Sequence, residues 1–197
     1  MESHIVIYFS TEKTSIHNYI SFFLIYPYHC KKLKSVGKCH LHLGSNQGDR
    51  KVQLARAVQM IEESIGPVLS SSAMYETDAW GKTDQNDFIN IALEVEHYLT
   101  PNQLLKIVNK IEDQIGRVRL EKWGPRLIDI DIIFMEDTIV DTEKLTIPHP
   151  LMHKRNFVLY PMVEIAADFI HPILDEQLSH LLEDCEDETE ARRIELY

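Results

Sequence analysis

Cysteine is scarce in this chain: Cys30, Cys39 and Cys185 are the only three in 197 residues. An odd number without CxxC spacing supplies neither a disulfide framework nor a zinc site, and reads as reduced, cytoplasmic thiols. Apolar runs of about 20 residues, the length a membrane helix requires, are also missing. The nearest candidate, residues 16–28 (IHNYISFFLIYPY), is too short and too polar. Only Lys13 precedes that run, after two acids, so the basic start of a secretory signal is lacking as well. Net positive charge is absent: 20 Lys and Arg stand against 31 Asp and Glu, a formal −11. That balance excludes general affinity for nucleic acid or an anionic membrane, and leaves room for a phosphate-bearing substrate at a local basic patch. No GxxxxGK[ST] loop, Gly-x-Ser-x-Gly elbow or HExxH pair occurs, so a P-loop phosphate cradle is excluded.

What is present is unevenly spread. Residues 1–38 hold five lysines and two glutamates, whereas six acids fall between Glu183 and Glu190 with no base among them. Inside the acidic remainder, residues 117–126 (RVRLEKWGPR) carry four bases against one acid, which predicts contact with an anion. The length suits one domain with appendages. We expect residues 1–38 to be an N-terminal leader or the product of an upstream start, 39–182 the domain, and 183–197 an acidic tail. A domain of that size buries enough surface to need no structural metal.

From Cys39 the hydrophobic pattern becomes regular. CHLHL alternates as a strand does, and residues 44–49 (GSNQGD) form a turn-rich loop. Leu54, Val58, Ile61 and Ile65 make one stripe of a helix that Gly66-Pro67 stops. A strand is expected over 68–76 and a polar loop over 77–87. Residues 88–96 alternate again, with Ile89, Ile91, Leu93 and Val95 on one face. Thr100, Pro101 and Gln103 are a helix start, Leu104, Val108, Ile111 and Ile115 its buried stripe, and Gly116 its end. Ile128, Ile130, Ile132 and Phe134 then face inward on a strand whose other face bears Asp129 and Asp131. Further fragments are expected around 139–147 and 158–182. The order β-α-β-β-α-β predicts an α+β fold of the ferredoxin-like, split β-α-β kind: an antiparallel sheet with both helices on one face. Phe88, Asn90, Asp129, Asp131, His40 and His42 would share the opposite face as the floor of a site.

Asp129-x-Asp131 puts two carboxylates on one strand face, roughly 6–7 Å apart at Cα. That spacing suits one or two hard cations, Mg²⁺ above all, bound together with substrate phosphates. Alone, such a pair is usually a solvated strand face. Here it follows directly on the basic loop of Arg117, Arg119, Lys122 and Arg126, whose guanidinium groups match phosphate oxygens. Trp123 in that loop can stack on a base or pack on the domain. His149, between two prolines, is either a phosphate contact or a turn residue; Phe157, near Arg155, is on composition a core residue. His40-x-His42 is the one close histidine pair, and its rings share a strand face as a metal site would require. Carboxylates, arginines and no evident nucleophile fit transfer between bound ligands, where positioning and charge neutralisation do most of the catalysis.

The run Arg117-Val-Arg … Lys122-Trp-Gly-Pro-Arg126-x-x-Asp129-Ile-Asp131 closely resembles the signature of the 6-hydroxymethyl-7,8-dihydropterin pyrophosphokinases. Leu43-Gly-Ser-Asn46-x-Gly48-Asp49, Tyr75-Glu-Thr77, Asp87-Phe88-Ile-Asn90 and Ile147-Pro-His149-Pro … Arg155-x-Phe157 resemble the same family, in order, over about residues 39–172. The resemblance implies transfer of the β,γ-pyrophosphate of ATP to a pterin hydroxymethyl group, with release of AMP, in folate biosynthesis. It implies Asp129 and Asp131 as ligands of two Mg²⁺ ions, and Arg117 and Arg126 as catalytic charges. On the ATP side it implies Arg119, His149 and Arg155 at the phosphates, with Glu112, Trp123, Ile132, Lys144 and Thr146. Phe88 and Phe157 would sandwich the pterin, and Asn90, with the stretch Thr77, Asp78 and Trp80, would read its polar edge. Loops 44–50, 77–87 and 117–126 would close over both substrates and exclude water. Leu120 stands where many relatives carry lysine, and Lys122 replaces a commoner arginine. A catalytically silent binding module and a Mg²⁺-dependent nucleotidyltransferase are the rival readings. A monomer is expected.

Overall fold

Strand β1 (Gly37–Ser45) runs through the middle of the domain, with nearly every residue buried. It pairs antiparallel with β4 (Phe88–His97) on one side and β5 (Asp129–Met135) on the other. The computed structural model describes residues 36–79, 84–116 and 124–194. The sheet order is β5-β1-β4-β3-β8, where β3 is Met74–Thr77 and β8 is Ala191–Ile194, and β2 (Val68–Ser71) pairs the other half of β4. The expected leader lies mostly outside the described residues, but Gly37 and Lys38, which we assigned to it, already pair with His97 and Glu96 as the start of β1.

Helices α1 (Arg50–Ser64) and α2 (Pro101–Ile115) cover one face. Asp49 caps α1 by accepting from the Val52 N–H at 3.2 Å. At its end Gly66 is required, because any Cβ there would collide with the Glu96 carbonyl. Thr100 donates its backbone N–H to Gln103 Oε1 at 2.9 Å, and Gly116 ends α2 in the left-handed conformation. Leu54, Ile61, Leu104, Val108 and Ile111 from these helices meet Leu41, Leu43, Ile89, Ile91, Leu93, Ile130 and Ile132 from the sheet. The expected α+β arrangement is therefore present.

Two expectations change in detail. The strand foreseen over 68–76 breaks at Ser72, whose hydroxyl accepts from the Ala92 N–H at 2.9 Å in place of a ladder carbonyl. Phe134 does not face α1 and α2. Leu41 pairs with Ile132 but His40 with Phe134, so Ile133 is an extra residue that reverses the alternation beyond it. Ile133 and Phe134 accordingly join a second core on the opposite face, with Val158, Leu159 and Met162 of α3 (Asn156–Ala166) and Leu178 and Leu181 of α4 (Leu178–Glu183). That face is thus divided, half second core and half open.

The acidic segment also departs from a free tail. Ala191–Ile194 form β8, the sheet edge beside β3, so a boundary at residue 182 cuts through the folded unit. The fragment around 139–147 is a small hairpin of β6 (Val140–Asp141) and β7 (Thr146–Ile147).

Candidate active site

The sheet register builds the site. Asn90 on β4, Gly44 on β1 and Asp129 on β5 lie in one cross-strand row, and Ala92, His42 and Asp131 form the next. Gly44, expected in a loop, is therefore a strand residue at the centre of the floor. A Cβ there would approach Asn90 Oδ1 to 3.0 Å and the Phe88 ring to 3.5 Å, so the missing side chain is what leaves the floor open. A cleft of about 260 Å³ rises from it, lined by His42, Thr77, Phe88, Asn90, Arg126, Asp129, Asp131, His149, Arg155 and Phe157, with Asp78 and Gln85 at its edge.

Two Arg–Phe pairs flank the cleft. The Arg126 guanidinium lies 5.7 Å from the Phe88 ring centre, and that of Arg155 lies 5.6 Å from the Phe157 ring. Arg126 also forms an ion pair with Asp129, both side chains about one-fifth exposed. Asn46, 1% exposed, fixes the Arg126 backbone by accepting its N–H at 2.8 Å, and donates to Gln85 Oε1 and the Asn86 carbonyl at 3.1 Å each. Arg50 braces the same loop by donating to the Asp87 carbonyl at 2.8 Å.

His42 and His149 have separate tasks. Burial pulls the His42 pKa down to about 4, against the opposing pull of Asp129. The neutral ring donates from Nε2 to the Phe157 carbonyl, 3.1 Å away, which steadies the start of α3. The expected face-sharing of His40 with His42 does not make a metal pair, because His40 packs between Phe134 and Phe169 in the second core. His149 reaches the cleft because its N–H bonds the carbonyl of the bulged Ile133 at 3.0 Å. Burial lowers its pKa, and Asp131 pulls it back up. The Leu151 N–H donates to His149 Nδ1 at 3.3 Å, so Nε2 carries the proton of the neutral ring.

Asp129 and Asp131 line the cleft in adjacent rows, and their oxygens are hard donors. Among the described residues no group of three or more His, Cys, Asp and Glu could hold an ion unaided. A carboxylate pair suits a hard cation such as Mg²⁺, which takes the rest of its shell from substrate phosphates and water.

The remaining expected residues fall in three places. Thr77 accepts from Asn90 Nδ2 at 2.9 Å within the cleft wall, and exposed Asp78 faces Arg192 at 3.5 Å. Glu112 and Ile132 do not line the cleft: Glu112 is buried under β5, accepting from the Ile130 N–H at 2.8 Å, and the Ile132 side chain is in the helix-side core. Exposed Lys144 and half-buried Thr146 belong to the β6–β7 hairpin, also off the cleft. Arg117, Arg119, Trp123 and Trp80 lie outside the described residues. Sequence reasoning gives no role to Gly44, Asn46 and Gln85; Gly44 and Asn46 stand in the motif Leu43-Gly-Ser-Asn46, whereas Gln85 leaves no signal.

Two aromatic rings, two arginines and a carboxylate pair line one cleft of an antiparallel α+β sheet, an arrangement that suits a phosphoryl-transfer enzyme. Residues 40–167 match the family described as 7,8-dihydro-6-hydroxymethylpterin-pyrophosphokinase (HPPK). The chain belongs to that family. It is 41% identical over 139 residues to the 2-amino-4-hydroxy-6-hydroxymethyldihydropteridine pyrophosphokinase of Aquifex aeolicus, covering 71% of this chain and 86% of the relative. The enzyme of the same name from Methylorubrum extorquens is 44% identical over 134 residues, covering 68% and 85%. A crystal structure of a triple mutant of Plasmodium falciparum HPPK-DHPS superposes with a TM-score of 0.63 at 16% identity, which bears on the fold alone. The match covers 76% of this chain and 43% of that longer one.

Proposed function

We propose that this chain transfers pyrophosphate from ATP to 6-hydroxymethyl-7,8-dihydropterin, giving AMP and the pterin diphosphate for folate biosynthesis. The carrying observation is the cross-strand row of Asn90, Gly44 and Asp129, which joins a ring-binding wall to an acidic pair on one floor. The pterin hydroxymethyl oxygen attacks the β-phosphorus of ATP, its bond to the α-phosphate bridging oxygen breaks, and AMP departs. The hydroxyl proton is lost to solvent or phosphate.

In this reading Phe88 and Phe157 clamp the pterin, and Asn90 reads its polar edge with its amide held by Thr77. Arg126, Arg155 and His149 meet the triphosphate, joined by Arg117, Arg119 and Trp123 from the adjoining loop, while Trp80 and Asp78 adjoin the pterin. Asp129 and Asp131 would hold the two Mg²⁺ ions. When bound, Mg²⁺ neutralises phosphate charge and orients the reacting oxygens. Lys144 and Thr146 serve the outer, nucleoside end, whereas Glu112 and Ile132 support β5 beneath it. Free thiols at Cys39 and Cys185 fit a cytoplasmic setting, and among the described residues no helix is long and apolar enough to cross a membrane.

The test is product identity. Purified protein with ATP, Mg²⁺ and the hydroxymethyldihydropterin should form AMP in step with pterin diphosphate. ADP as the nucleotide product, or free pyrophosphate without pterin diphosphate, would refute the assignment.

A further inference from the structure

Helix α3 begins at the cleft, yet its first turn lacks a cap of its own. Arg155 occupies the cap position and makes no capping bond from its side chain. The missing acceptor comes from the acidic segment. Asp187 Oδ2 accepts from the Asn156 N–H at 2.8 Å, and the Asn156 side-chain amide donates back to the carbonyls of Asp187 and, at 3.3 Å, Thr189. Asp187 is itself held in shape, its Oδ1 accepting from the Thr189 N–H at 3.0 Å and hydroxyl at 2.6 Å. Asn156 lies between Arg155 and Phe157, the two residues that this end of α3 contributes to the cleft wall. The chain then continues into β8, where Arg192 meets Asp78, a cleft-lining residue of another element, and Asp87, the neighbour of Phe88, at 3.5 Å each.

We infer that Asp187 is a positioning residue: by capping α3 from the C-terminal segment it aims Arg155 and Phe157 into the cleft, while Arg192 holds Asp78 and Asp87. The segment between α4 and β8 is thus a strap joining two parts of the substrate site. Its charge acts in the same direction, since Asp187 is among the carboxylates that favour the charged form of the half-buried Arg155 guanidinium. A helix start that accepts an external carboxylate is stabilised both by the bond and by the helix dipole.

The inference rests on the proposed activity, so the wild-type enzyme is assayed first; failure to form AMP and pterin diphosphate there refutes the activity, not the strap. With wild type active, Asp187→Ala should raise KM for the pterin and for MgATP about tenfold, the scale expected when a charged acceptor is lost. Asp187→Asn, which keeps the acceptor oxygen, should recover most of the loss. Arg193→Ala is the control: Arg193 anchors β8 to Glu164 at 3.0 Å, away from the cleft. It should lower Tm with both KM values unchanged. Equal effects of Asp187→Ala and Arg193→Ala on Tm and KM would show the strap to be only structural. Wild-type KM values in Asp187→Ala would overturn the inference outright. Should Asp187→Ala fail to fold, Arg192→Ala decides: it releases the Asp78 and Asp87 end of the strap, so a raised KM for the pterin supports the inference and wild-type KM values overturn it.

Discussion

Asn46 and Arg126 hold each other across the site by two hydrogen bonds, Arg126 N–H to Asn46 Oδ1 at 2.8 Å and Asn46 N–H to the Arg126 carbonyl at 3.2 Å. The same amide reaches Gln85 and Asn86, so one buried side chain joins the end of β1 to two loops. Asn46→Ala removes the side-chain bonds and strands a backbone donor, at a cost of about 1–3 kcal/mol. Urea unfolding should show that loss, and kcat/KM should fall about 10–100-fold as Arg126 loses its fixed position. A variant with wild-type kinetics would show that Arg126 is positioned from elsewhere.

Gly44→Ala tests the floor directly. The added Cβ meets the Asn90 amide oxygen and the Phe88 ring while leaving the strand pairing in place. The protein should remain folded by circular dichroism, and its Kd for the pterin should rise by about tenfold or more. MgATP binding should change much less, because Gly44 sits under the ring-binding side.

Asp131→Ala and Asp129→Ala should each lower kcat by about a hundredfold or more, with Tm close to wild type. The two differ in one respect. Loss of Asp129 also releases Arg126 from its ion pair, so MgATP affinity should suffer less in that variant than in Asp131→Ala. Calorimetric titration with Mg²⁺ and a non-hydrolysable ATP analogue measures the contrast.

Stability should fall as the medium is acidified, in part through His40. Burial in the second core lowers its pKa from 6.5 to about 4, with Glu94 opposing and Lys38 reinforcing the shift. Because the unfolded chain takes up this proton first, the contribution is full above pH 6.5 and is lost between 6.5 and about 4. One such group steepens the dependence by up to about 1.4 kcal/mol per pH unit. His40→Leu should flatten the curve from urea unfolding at pH 7, 6 and 5. It also removes the buried Nδ1, which has no hydrogen-bond partner.

Periodicity revealed most of the elements because each strand and helix here buries one well-marked face. Ile89, Ile91, Leu93 and Val95, for example, lie where alternation puts them. It misplaced Phe134 because a bulge is a property of two strands in register, and one strand's pattern carries no trace of it. It treated the acidic segment as free, since β8 is short and half-polar and its value lies in its partner, β3. In the candidate site, Asp129, Arg126, Phe88 and Asn46 stand in recognisable motifs, but the contacts of Asn46, like those of Asp187, run to backbone groups distant in sequence. Such contacts leave no local spacing to read.

The extra residue at Ile133 also divides the mutational fate of β5. Before it, Asp129 and Asp131 answer to chemistry; after it, Phe134 answers to packing against α3 and α4. Changes that enlarge or repack the second core can thus accumulate in the distal half without rotating the carboxylates. Deleting Ile133 would remove that insulation, turning Phe134 toward α1 and α2 and drawing His149 away from its anchor. A single inserted residue keeps adaptation of stability separate from adaptation of catalysis.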